Sequence, residues 1–441
     1  MRKKKKTLVI GGGIVGIVAS YLMAIRNKNV VLVEAAPQLG GLLRGPSFDG
    51  RHFDNGTHLL SSTGVPEIDE FLLSDFSTDQ FNFFHGHDAD RSGSFSMLGW
   101  NENTSFVDIR PEGIAADIIE WRRSNEVVPI VSSAYDELYS LYGYKAVPFF
   151  GQVLSSVYGR DPRELGVNAV KQIALHRTVL MSNDEIEAYS DFAKISSVIA
   201  HPDRAHFNRK LSPNVRSLYP KARGLGLAID RLEAKLKRAG VQILKSTTLK
   251  RSGSDFIVIS PTGVQSIPSP HVIWTAGVPA AANLFLKKKF DTVSGDLVCW
   301  IAHVELSKKL RQLNNYYYFV RRPSMRTYRL TNYCAITLNN SDQGYTLEIT
   351  APRTFSETDM AELVKRELLI MGLIEFPSDV NFMRLNRFNY SFLNATTAFE
   401  SWCETITEEL REHMPMFGPW SSRGMFFTGD CLRDLYARLP K

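Results

Sequence analysis

Apolar residues near the start of the chain fall in short continuous blocks. Leu8-Val9-Ile10 comes first. Three glycines and a mainly apolar stretch from Ile14 to Arg26 follow, then Val30 to Val33, closed by Glu34. Continuous apolar triplets and quartets read as strands buried on both faces, and the stretch between them reads as a helix ending near Asn27. The same grammar returns downstream. Leu227, Ile229, Leu232 and Leu236 repeat at helical spacing up to Gly240, Phe256 to Ile267 reads as a hairpin, and Val272-Ile273-Trp274 is another buried strand. From about Phe285 to Arg387 the pattern changes to longer alternating segments, including "NYYYFVRR", "MRTYRLTNYCAITLN" and "GYTLEITAP", which predict strands. Helices are predicted at Ile114 to Arg122, Ala134 to Leu141, Val170 to Leu180, Ser356 to Met371 and Phe399 to His413, and a last strand at Met425 to Phe427. The chain is α/β, with two different kinds of sheet.

The glycines carry the first chemistry. Gly11-Gly12-Gly13-Ile14-Val15-Gly16 contains G-x-G-x-x-G between a strand and a helix. Gly11 permits the tight turn, Gly13 lets backbone approach a pyrophosphate, and Gly16 lets helix and strand pack closely. The helix N-terminus offers unpaired N–H groups and partial positive charge to phosphates. Glu34 stands 18 residues after Gly16, where a carboxylate accepts from ribose hydroxyls and repels a 2′-phosphate. A lone glycine motif would leave a plain turn open; strand, loop, helix, strand and acid together point to an adenine dinucleotide.

The next stretch, "APQLGGLLRGPSFDGRHFDNGTHLL", supplies Gly40-Gly41, Arg44 and Asp54-x-Gly56-x-His58. With these residues the chain resembles the flavin-dependent amine oxidase superfamily, which includes protoporphyrinogen oxidases, carotenoid desaturases and UDP-galactopyranose mutases. The resemblance implies FAD, with the glycine pair and Arg44 along the pyrophosphate and the stretch through Thr57 and His58 forming a strand beside the flavin. It also assigns cofactor contacts to Ile14, Val15, Ala35, Leu42, Leu249, the small-residue turn Thr275-Ala276-Gly277 and the pair Gly429-Asp430. The implied fold is a discontinuous Rossmann-like FAD-binding domain of glutathione-reductase type, in residues 1–62, 215–284 and 415–441. A mixed-sheet and helical substrate domain interleaves with it in residues 63–214 and 285–414. The family continues past the glycine–acid pair into a helix rich in small residues, whereas only "RDLYARLPK" remains here.

Composition narrows the partners. The formal charge is +6, but Arg2 to Lys6 hold five of the 52 basic residues, leaving 47 against 46 acidic ones. A solvated tail explains this, with weak contact to anionic lipid as its alternative, and nucleic acid is not an expected partner. No apolar run nears the roughly 18–20 residues that span a bilayer, and no secretory signal is legible. Cys299, Cys334, Cys403 and Cys431 lack C-x-x-C spacing, which fits a reduced, cytoplasmic protein better than disulfides or zinc. "HGHDAD" at His85, His87 and Asp88 reads as a solvated loop with no metal.

For the substrate the richest stretch is "NYYYFVRRPSMRTYRLTNYCA", where arginines and tyrosines interleave. Two readings stay open: an exposed sheet face, where Tyr and Thr are at home, and a cavity wall binding an anionic substrate. The second places Arg326, Tyr328, Arg329, Asn332 and Tyr333 on the substrate, "YRLTNY" being similar to a stretch of the mutases. The resemblance also puts His58 and Tyr390 ("FNYSFLNA") near flavin or substrate, giving His58, Arg329 and Tyr390 as catalytic candidates. The expected activity is an FAD-dependent oxidoreductase that moves a hydride from a small molecule, such as an amine, to flavin N5. The alternatives are a non-redox mutase of a nucleotide sugar and a flavin-binding protein without turnover.

Overall fold

The computed structural model describes residues 6–26, 28–124, 130–189, 192–203, 214–290, 297–388, 395–411, 414–422, 425 and 427–440. Tyr390, Asn27, Phe426 and the tail residues 2–5 therefore lie outside the described residues. The chain divides into two compact units. One comprises Met1–Phe83, Arg216–Asp291 and Glu400–Lys441, the other Phe84–Val215 and Thr292–Phe399. Among the described residues no helix is long and apolar enough to cross a membrane.

The first unit carries β1 (Lys6–Ile10), α1 (Ile14–Ile25) and β2 (Asn29–Val33). From later in the chain it takes α3 (Gly226–Arg238), β5 (Gln242–Leu244), β6 (His271–Trp274) and α5 (Thr428–Arg438). The second carries β3 (Ser92–Ser96), β4 (Gly99–Asn101), α2 (Val147–Tyr158), β7 (Leu297–Leu306) and β8 (Tyr317–Val320). It is completed by β9 (Thr327–Asn332), β10 (Gly344–Pro352), α4 (Glu357–Ile370) and β11 (Val380–Phe388).

In the first unit the strands run β5-β2-β1-β6, all parallel, with Thr7 opposite His271 and Ile10 opposite Trp274. Leu8, Val9, Val31 and Leu32 are fully buried, which is why these blocks are apolar without alternation. Helix α1 buries Ile17, Val18, Ala19 and Leu22 completely and packs against α3 and α5. The sheet is Rossmann-like. The expected hairpin is present as antiparallel Asp255–Ser260 and Gly263–Ile267, extended by Thr248–Ser252.

In the second unit seven strands run β11-β7-β10-β9-β8-β3-β4. All neighbours are antiparallel except β8 and β3. Alternation divides this sheet into two faces. Trp300, Ala302 and Val304 of β7, Leu330 of β9, and Leu347 and Ile349 of β10 bury one face against Met360, Val364 and Leu368 of α4. His303, Thr346, Glu348 and Arg329 belong to the other.

Four local expectations are corrected. Val170 to Leu180 is no single helix: Asn168–Gln172 is helical, Ala174 adopts φ 55°, and Thr178–Val179 pairs as a strand with Val107–Asp108. The strand through "TYRLTNYCAIT" stops at Asn332, and Tyr333–Thr337 forms a helical turn that ends at Leu338, φ 54°; packing overrides the β propensity of these residues. Residues 54–59 are irregular rather than a strand. Residue 425 is irregular and Phe427 caps α5, so the glycine–acid pair begins a helix instead of ending a strand.

Candidate dinucleotide site and the polar sheet face

The glycine loop joins β1 to α1 and meets two other loops. Gly11 adopts φ 108°, and a Cβ there would stand 2.8 Å from the Ala276 nitrogen. A Cβ on Gly16 would stand 1.8 Å from the Gly11 carbonyl and 2.7 Å from the Thr275 hydroxyl. Thr275 explains the crowding: its amide donates to Ile10 O at 2.8 Å, and its hydroxyl contacts the carbonyls of Ile10 and Gly11 at 3.0 Å each. Gly13 behaves differently. It is the N-cap of α1, and a Cβ built on it meets nothing within 4 Å. Its neighbour across the gap is the second glycine loop: Gly40 pairs with Gly13, and the Gly40 amide donates to Gly12 O at 2.8 Å. Helix end, open space and glycine rim form a cradle with the donors that a pyrophosphate requires.

Glu34 closes the loop from β2. One carboxylate oxygen accepts from the Gly12 amide at 2.6 Å and the other from Ala36 at 2.7 Å. These bonds hold the carboxylate against the loop, and carboxylate oxygens retain further lone pairs for hydroxyls. Ile14 and Val15 are buried at the start of α1, Ala35 and Leu42 are exposed, and Thr57, His58 and Leu249 are half-buried. Ala276 is exposed, and Gly277, φ 84°, caps the helical turn Val278–Ala281.

Two charged candidates are engaged elsewhere. Arg44 donates its Nε to Leu39 O at 2.6 Å and pairs with Asp230, so its positive charge already has a counter-ion. Asp430 pairs with Arg433 at 2.6 Å, one turn along α5, and a Cβ on Gly429 would stand 3.6 Å from the Arg433 guanidinium. No described contact brings this pair to the glycine loops.

Asp54 was legible only as part of a motif, yet it is the deepest acid here. It is 1% exposed and accepts from Leu225 N at 2.9 Å and from the Tyr219 hydroxyl, which itself accepts from Gly224 N at 2.8 Å. Burial pushes its carboxyl up to about 7, against the lowering effect of these hydrogen bonds. The residue ties the loop before His58 to the entrance of α3.

On the second unit's polar sheet face, Arg329 of β9 is clasped by Glu348 of β10 through Nε at 2.5 Å and Nη2 at 2.7 Å. The Tyr328 hydroxyl joins the same carboxylate at 3.0 Å. The pairing answers the charge expected to bind an anionic substrate. Asn332 is buried and donates to Leu313 O at 2.9 Å and Asn315 O at 3.1 Å. Tyr333 is fully buried against the Thr346 hydroxyl at 2.9 Å. These two are core residues and do not line an open wall. Arg326 alone of the set is exposed. The sequence reading missed Glu348 and His303. The latter is fully buried, contacts Thr346 at 3.0 Å and is kept neutral by burial, its pKa lowered to about 4. Only strand register could have found them. Among the described residues no group of three or more His, Cys, Asp or Glu is placed to hold a metal.

Comparison with known proteins agrees with this geometry. Residues 9–72 match the model of an NAD(P)-binding Rossmann-like domain. A mitochondrial protoporphyrinogen oxidase of Nicotiana tabacum is 37% identical over 81 residues, 16% of each protein. A carotenoid phi-ring synthase of Chlorobaculum tepidum is 48% identical over 87 residues, 19% of this chain and 13% of that protein. The chain thus matches less than a fifth of the length of either relative. Solved structures extend the likeness along the chain. A reduced UDP-galactopyranose mutase superposes with TM-score 0.67 at 14% identity, covering 95% of this chain and 90% of the other. A putrescine oxidase bound to putrescine superposes with TM-score 0.58 at 11% identity, covering 98% and 99%. By fold, the chain is similar to these two enzymes over nearly its whole length.

Proposed function

We propose that this chain binds FAD in its first unit and oxidises a small molecule there, the second unit serving as the substrate domain. The observation that supports the reading best is the space at Gly13. Of the three motif glycines, Gly11 and Gly16 are filled in by backbone and Thr275, whereas Gly13 faces nothing within 4 Å. The residues fit a dinucleotide. Amides at the N-terminus of α1 and along Gly40-Gly41 would hold the diphosphate, Glu34 the adenosine ribose, and the Thr275-Ala276-Gly277 turn with Thr57 and His58 would border the rest. FAD, when bound, supplies a two-electron acceptor for a substrate C–H bond. The chain's own contribution is binding, orientation and exclusion of water. Arg329, held by Glu348, is a poor carrier for a nucleotide sugar's diphosphate, which weakens the mutase alternative.

The test is to purify the protein and measure bound flavin. It is then mixed anaerobically with amines, polyenes and nucleotide sugars in turn. Flavin bleached by an amine or polyene supports an oxidoreductase. Turnover of a nucleotide sugar only after prior reduction, with no net redox change, would replace that reading with the mutase. A folded protein that takes up no FAD sinks the proposal.

A further inference from the structure

Helix α2 and the β8–β9 connection enclose a narrow cleft within the second unit, of about 10 Å³, room for roughly one water-sized group. Its walls are unusually rich in unanswered donors. The Nε atoms of Arg321 and Arg322 are buried without a hydrogen-bond partner, and so are the hydroxyls of Thr327 and Thr350. The two threonines are 2% and 1% exposed. Arg326, exposed, stands at the rim.

We propose that this cleft is an oxyanion site that takes one terminal oxygen of a carboxylate or phosphoryl group, the rest of the ligand staying outside. Buried polar groups are normally paired, and each orphan costs about 1–3 kcal/mol. Four such groups belong to residues that line this one cleft, where an acceptor with several lone pairs would answer them. Neutral or cationic ends are excluded by the guanidinium groups. Among the described residues none of the three arginines has a carboxylate partner. Arg321 donates to Ile173 O and stacks 4.6 Å over the Phe319 ring, and burial alone lowers its pKa to about 9. Glu367 is spent on the backbone amides of Arg326 and Thr327, at 2.6 and 2.9 Å. Glu348 takes Arg329 and the Tyr328 hydroxyl. The arginine chemistry read in this stretch thus belongs to Arg321, Arg322 and Arg326, with Arg329 set apart. The size of the cleft limits what enters to one such oxygen and leaves the rest of the ligand unspecified.

The experiment uses the full chain, with inorganic phosphate and acetate as probes and chloride holding ionic strength constant. Thermal unfolding and titration calorimetry should show saturable binding of at least one probe. Phosphate alone would identify a phosphoryl end, and acetate alone a carboxylate. Thr350→Val and Arg322→Gln should each weaken that binding by about tenfold, the loss of one charge-assisted or buried hydrogen bond, with melting in chloride alone little changed. Arg321→Gln should weaken it further, and the other two variants carry the test if this one fails to fold. No saturable binding, or binding that both variants leave intact, overturns the proposal. The latter result would place the anion elsewhere, such as at the N-terminus of α1. The cleft lies wholly in the second unit, so a colourless protein that still binds phosphate here would refute the flavin reading and keep this one.

Discussion

Glu348 supplies both oxygens to Arg329 from the adjoining strand, with 5% of the glutamate and 24% of the arginine side chain exposed. Removing one partner of such a pair strands the other charge. Glu348→Gln should therefore destabilise the protein by about 3 kcal/mol at neutral pH, whereas Arg329→Met combined with Glu348→Leu should recover most of that. Urea unfolding of the two variants and the parent reads both numbers; equal losses in single and double variants would deny the pairing its energetic role.

Asp54 gives a pH dependence with a definite sign. Its folded-state value, about 7, lies above the ordinary 3.8, so the folded protein holds a proton that the unfolded chain has released. The associated stability is complete below about pH 4 and lost as pH rises to about 7. Asp54→Asn keeps the shape and removes the titration. The difference in melting temperature, variant minus parent, should rise between pH 5 and 8, and a flat difference would place the proton elsewhere.

The glycines separate folding from binding. Gly16→Ala drives a methyl into the Gly11 carbonyl and should cost about 1–3 kcal/mol through overpacking. Gly13→Ala meets open space and should cost less than about 1 kcal/mol, while bound FAD, measured by its visible absorption, falls sharply. Should Gly13→Ala retain all its flavin, the pyrophosphate has been misplaced.

Cysteine reactivity offers an independent check on packing. All four thiols are buried, and burial pushes those of Cys299, Cys403 and Cys431 up to about 12. Since the thiolate is the nucleophile, these three should resist a disulfide reagent at pH 8 until denaturant is added. Rapid native labelling of any of them would contradict the packing.

How much of this could be read beforehand follows from sequence distance. The glycine loop, β1, α1, β2 and α3 announce themselves because their signals are local: apolar blocks, helical spacing, glycines where backbone must bend or approach. Arg329 looked like a free cation because its partner is 19 residues away and faces it only through the register of β9 and β10. Tyr333 looks like a strand residue because its propensity says so; the turn that buries it brings its hydroxyl to Thr346 on another strand. The cleft of Arg321, Arg322, Thr327 and Thr350 needs α2 as its far wall, and no motif spans residues 153 to 350.

The pairing of β1 with β6 has a kinetic meaning. Thr7 meets Val30 of β2 early but waits for His271, 264 positions later, for its second parallel neighbour. During synthesis the glycine loop therefore leaves the ribosome long before the strand that makes it rigid, with the second unit's first segment emerging between them. Contacts of such high sequence separation are slow to form and leave strand edges exposed meanwhile. The nascent chain's earliest recognisable motif is thus among its last to mature, and the interval is when a chaperone would matter most.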